Sequence, residues 1–170
     1  MLNIEINNTT DFPVNTKSVH RTVDKFYKFI DRLDLIKVSK ELSIAFISNK
    51  EIKKMNKIYR GINKQTDVLS FGNLDTNIRM NANDTNIANK GNKNGTFFAP
   101  PLYKGGIQGG YAEIIISYEQ AKKQAKDKKI TIKQEVEKLL IHGLLHLIGY
   151  DHRTDKDALE MEGIEREMGQ

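Results

Sequence analysis

The chain has 170 residues, enough for one domain with a core of ordinary size. Hydrophobic residues make up 38% and charged residues 29%, and Cys is absent. No apolar run reaches the roughly 18 residues of a membrane span, and without Cys there are no disulfides, thiolate metal sites or cysteine nucleophiles. Lys+Arg 27 against Asp+Glu 22 gives a net charge of +5, which favours an anionic partner such as RNA, DNA or a membrane surface. The start MLNIEINNTTDF lacks the basic-then-apolar order of a secretory signal, and the lack of Cys fits a reducing compartment, so a cytoplasmic location is expected.

Leu2, Ile4 and Ile6 alternate over 2–7 and predict a strand. A helix is expected from about 17 to 34, with Val19, Val23, Phe26, Ile30 and Leu33 on one stripe. Alternation returns in ELSIAFIS (41–48), a second strand. A short helix over about 50–59 turns Ile52, Met55 and Tyr59 inward and stops at Gly61. TDVLSF (66–71) reads as a third strand. Residues 73–110 are Asn- and Gly-rich with little that can pack, and are expected to form a mobile surface insertion in an otherwise single domain spanning 1–170. AEIIIS (112–117) is a fourth strand whose apolar run implies burial on both faces. A Lys-rich helix is expected over 118–127. Another runs over 132–148, with Thr131 as N-cap, Gln134 closing a capping box and Gly149 as its stop. A last amphipathic helix spans 155–168. Strands and helices mix without strict alternation, which predicts an α+β fold with a mixed sheet.

The chemistry gathers in HGLLHLIGYDH (142–152), which holds three of the four His. His142 and His146 are four apart on a predicted helix, about 40° apart around its axis and one turn apart along it, so their rings face one point. A turn at Gly149 brings His152 back toward that point. Three neutral imidazoles make a zinc site, one ion per chain, with the fourth tetrahedral position left to water. Zinc brings the pKa of such a water to about 7, so a zinc-bound water is the expected nucleophile. Asp151 is an alternative ligand, or orients a ligand through a hydrogen bond.

The three His and the Gly match the metzincin spacing H-E-x-x-H-x-x-G-x-x-H, but Gly143 stands where that pattern has its catalytic Glu. A metzincin-like metalloprotease is therefore the runner-up. A non-catalytic factor with a structural zinc is a third reading.

HGLLHLIGYDH resembles the signature H-G-x-L-H-L-x-G-Y-D-H of the YbeY family of bacterial rRNA maturation factors at every fixed position. MNKIYRGINKQTDVLSF (55–71) is similar to the family's N-x-x-Y-R…T-D-V-L-S-F block, and Met161 with Glu165 matches its M-x-x-x-E ending. The resemblance covers about 1–72 and 111–168. Two departures stand out: Ala112-Glu113 replaces the family's Gly-Asp, and 73–110 is much longer than the family's link. The resemblance implies a mainly parallel four-stranded sheet with one antiparallel strand, packed with helices. It implies a metal-dependent, single-strand-specific endoribonuclease acting in 16S rRNA 3′-end maturation and ribosome quality control, with ribosomal RNA and the small ribosomal subunit as partners.

Phosphodiester cleavage needs charge stabilisation on the phosphoryl oxygens. Arg60 is the catalytic candidate, because a planar guanidinium grips phosphate bidentately, and it matches the family's Arg at that place. Asp67 and Ser70 are expected to shape the strand edge through hydrogen bonds rather than catalysis. Glu113 is a candidate to accept a hydrogen bond from a metal ligand, and fits a solvent-facing position equally well. Lys53 and Lys57, with Lys50 and Lys54, form a basic helix face leading to Arg60, and Lys122, Lys123, Lys126, Lys128 and Lys129 form a second cluster. Either can track a phosphate backbone, and either also fits a merely solvated helix face.

Overall fold

The computed structural model describes residues 3–32, 41–72, 111–148, 150 and 154–169. The expected insertion at 73–110, Gly149, Asp151 and His152 lie outside the described residues. In chain order the elements are β1 (Asn3–Asn8), α1 (Thr16–Arg32), β2 (Glu41–Ile47), α2 (Asn49–Arg60), β3 (Val68–Gly72), β4 (Tyr111–Ser117), α3 (Tyr118–Asp127), α4 (Ile132–Leu147) and α5 (Asp155–Met168). The α+β expectation holds. β1 pairs parallel with β2, and β2 with β4, while β3 lies antiparallel along β4, giving the order β1-β2-β4-β3.

Strand alternation divides the core into two faces. Leu42, Ile44 and Phe46 of β2 and Ala112, Ile114 and Ile116 of β4 point to one side, where Val23, Phe26 and Ile30 of α1 and Leu140 and Leu144 of α4 cover them. Ala45, Ile47 and Ile115 point to the other side, against Ile52 of α2 and Leu69 of β3. Every residue from Ala112 to Ser117 is buried, as the apolar run of β4 foretells.

The helix ends follow their capping residues. Ser48 and Glu51 close a capping box on α2, and Thr131 with Gln134 closes one on α4. Gly61 ends α2 at φ 72°, a left-handed conformation that Gly adopts without strain. α4 ends at Leu147 with Ile148 as its C-cap, one residue short of the expected end. Among the described residues no helix is long and apolar enough to cross a membrane.

Candidate active site

α4 carries the chemistry because it is apolar on most of its circumference and therefore sits deep against the sheet. It approaches the sheet closely at Gly143, where a Cβ would stand 3.1 Å from Cγ2 and 3.3 Å from Cδ1 of Ile114. Position 143 thus faces the sheet. Its neighbours on the wheel, His142 and His146, lie together to one side of it and are half-buried.

The two imidazoles stand edge to face, with ring centroids 4.6 Å apart and an interplanar angle of 86°. Their Nε2 atoms are 3.1 Å apart. Each Nδ1 has its own partner: that of His142 lies 2.8 Å from Oε1 of Glu165 on α5, and that of His146 lies 2.8 Å from the carbonyl oxygen of Tyr150. A carbonyl and a carboxylate oxygen only accept, so both Nδ1 atoms donate. In the neutral rings both Nε2 atoms then present lone pairs to one another, an arrangement that calls for a proton or a cation between them. Two ligands of a tetrahedral zinc at bonds of 2.0–2.1 Å are separated by about 3.4 Å, close to the spacing here. The donor set and its outer partners fit zinc. Among the described residues no cluster of three metal-ligating side chains forms, since the third expected imidazole, His152, and the alternative Asp151 lie outside them.

The remaining expected residues are distributed around the sheet. Asp67 is committed to structure. Its Oδ1 accepts from the Val68 amide at 2.9 Å, its Oδ2 from Nε2 of Gln124 at 2.9 Å, and its carbonyl from the Ser117 amide at 2.8 Å. It ties the start of β3 to β4 and α3. Ser70, half-buried, pairs with Ile114 and alternates with Leu69 and Phe71, which puts it on the α4 side of the edge strand. Glu113 is fully buried and precedes Ile114, so its side chain points to the α2 side, opposite the His pair. One step along a strand reverses the face, so Glu113 faces away from the side that Ile114 shares with α4. Glu113 accepts from Ser43 Oγ at 3.5 Å. Burial, then the nearby Glu113 charge, pushes the Tyr59 phenol up.

Arg60 closes α2 and is exposed, as are Lys50, Lys53, Lys54 and Lys57. α2 covers the sheet face opposite α4. Tyr59 and Phe71 pack edge to face on each other with centroids 5.1 Å apart, and Tyr150 packs against the main core.

Two residues take parts that sequence patterning did not assign. Asn56 occupies the inward face of α2 in place of an apolar residue, and its Nδ2 donates to the Lys64 carbonyl at 2.8 Å. It fastens the segment after Arg60 to the helix. Glu165 was visible only as part of the M-x-x-x-E ending, and its contact with His142 joins residues 23 apart.

The family model described as Endoribonuclease YbeY matches residues 4–170. The chain belongs to the YbeY endoribonuclease family. An Endoribonuclease YbeY from Thermoanaerobacter sp. (strain X514) is 32% identical over 98% of this chain and 95% of the relative. Another, from Persephonella marina, is 34% identical over 93% of this chain and 84% of the relative. The solution structure of TM1509 from Thermotoga maritima shares the fold at a TM-score of 0.55 and 23% identity, covering 98% of this chain and 86% of that one. YbeY membership agrees with the resemblance carried by the His motif and by the 55–71 block.

Proposed function

We propose that this YbeY-family chain is a zinc-dependent endoribonuclease that cleaves single-stranded RNA. In this reading it acts in the cytoplasm on ribosomal RNA, in 16S rRNA 3′-end maturation and ribosome quality control alongside the small ribosomal subunit. The observation that carries the metal dependence is the convergence of two Nε2 lone pairs 3.1 Å apart, each enforced by an acceptor on Nδ1.

His142 and His146 hold the ion, with His152 as the third ligand that the motif assigns. When bound, zinc supplies Lewis acidity toward a phosphoryl oxygen and brings the pKa of a water to about 7. The Tyr150 carbonyl fixes the tautomer of His146 and so keeps its Nε2 unprotonated for the ion. The exposed Lys50, Lys53, Lys54, Lys57 and Arg60 present a cationic helix face to phosphates, in which Arg60 supplies the bidentate grip. Charge and shape then govern recognition more than base identity. A metalloprotease is disfavoured because Gly143, packed against Ile114, carries no side chain where the H-E-x-x-H pattern has its general base.

The test is cleavage of a labelled single-stranded RNA by the zinc-loaded protein, with elemental analysis of the same samples. His142→Ala, His146→Ala and His152→Ala are each expected to lose zinc and cleavage together. Full zinc content in all three variants would overturn the metal site. Zinc without RNA cleavage in the wild type would favour the non-catalytic reading.

A further inference from the structure

We infer that Glu165 is the positioning residue that prepares His142 for zinc, making the docking of α5 a determinant of metal affinity. The inference rests on the zinc reading above. Oε1 of Glu165 lies 2.8 Å from Nδ1 of His142, and the two side chains are 33% and 29% exposed, so the contact is partly shielded from water. A carboxylate on Nδ1 holds the proton there, leaves Nε2 as the lone pair, fixes the ring plane and raises the basicity of the ligand nitrogen.

Glu165 is held in place from both sides along α5. Met161 and Met168 are buried in the main core, at 0% and 4% exposure, on the turns flanking it. Nζ of Lys25 on α1 donates to the Met168 carbonyl at 2.6 Å, and Thr154 caps the start of the helix by accepting from the Asp157 amide at 3.2 Å. The backbone of Glu165 also accepts from the Gly169 amide at 2.9 Å. The second imidazole is oriented differently, by a backbone carbonyl close to it in the chain. His142 thus takes an orienting contact from a separate helix. A plain ion pair between Glu165 and a protonated His142 would stabilise the fold but would not serve metal binding.

The experiment measures zinc dissociation constants of the purified full chain by competition with a chromophoric chelator, alongside the thermal midpoint of the metal-free proteins. Glu165→Ala is expected to weaken zinc by about 10- to 100-fold, with the metal-free midpoint little changed. Glu165→Gln retains an acceptor for Nδ1–H and is expected to recover most of that loss. If Glu165→Ala fails to fold, Glu165→Asp carries the test, because it keeps the charge but retracts the carboxylate by one methylene; a loss of about tenfold is expected. Wild-type affinity in the Ala or Asp variant, with zinc lost in His146→Ala, overturns the role of Glu165 alone. Wild-type affinity in His146→Ala overturns the metal centre and this inference with it.

Discussion

Gly143 and Ile114 meet so closely that a methyl group on the glycine would press on the Ile114 side chain at 3.1 Å. That contact seats α4 on β4 and fixes which way its neighbours face. With residue 143 against the sheet, His142 and His146 fall together on one flank of the helix. Gly143→Glu, which would restore the metzincin spacing, is expected to force a buried carboxylate into the helix–sheet contact and to lower stability by about 3 kcal/mol or more. Gly143→Ala should stay within about 1 kcal/mol of wild type, because a gain in helix propensity offsets the crowding. Combining it with Ile114→Val should show favourable coupling of about 0.5 kcal/mol or more. Urea unfolding of the wild type, both Gly143 variants, Ile114→Val and the double variant checks this. A fully stable Gly143→Glu protein would contradict the packing.

Arg60 is exposed on the last turn of α2, free to meet a phosphate from solvent, so its variants should affect substrate grip more than the chemical step. Arg60→Glu is expected to lower kcat/KM on single-stranded RNA by about 10- to 100-fold, mainly through KM, with zinc content unchanged. Arg60→Lys should keep part of the activity, since an ammonium has the charge without the fork. Lys53→Glu with Lys57→Glu should reduce the salt slope of RNA binding by up to about two units. Wild-type kinetics in Arg60→Glu would remove Arg60 from the substrate path.

Tyr27 places its hydroxyl oxygen in the interior with no hydrogen-bond partner among the described residues. Burial pushes its phenol up, well above the ordinary tyrosine range. The neutral form is therefore favoured in the folded state. The stability this contributes is present below the unfolded pKa of about 10 and is lost as pH rises beyond it toward the folded value. Tyr27→Phe removes that loss and strands no partner, so it should match or exceed wild-type stability at pH 7 by up to about 1 kcal/mol and should unfold less readily above about pH 10. Denaturation midpoints at pH 7 and pH 10.5 decide it. A Phe variant that is less stable at both would show that the hydroxyl is satisfied.

Much of this molecule follows from sequence pattern alone. The stripe of α1, the alternation of β2, the apolar run of β4, the capping boxes at Ser48 and Thr131 and the stop at Gly61 all sit where period and cap chemistry put them, because each depends on residues within a few positions of one another. The pairing of His142 with His146 is local in the same sense, as an i, i+4 relation on one helix, and so is the family resemblance carried by the motif around it.

Tertiary structure decided what no short window contains. It set β3 antiparallel at the edge of the sheet and placed Glu113 on the face away from the His pair, since a single step along a strand reverses the side. It left Arg60 on the helix covering that other face. It seated Asn56 inward because the Lys64 carbonyl needed a donor. It also brought Glu165, from a separate helix, to the Nδ1 of His142. Those relations arise from elements packing across the core, where burial and hydrogen-bond satisfaction fix distances between residues that the sequence leaves far apart.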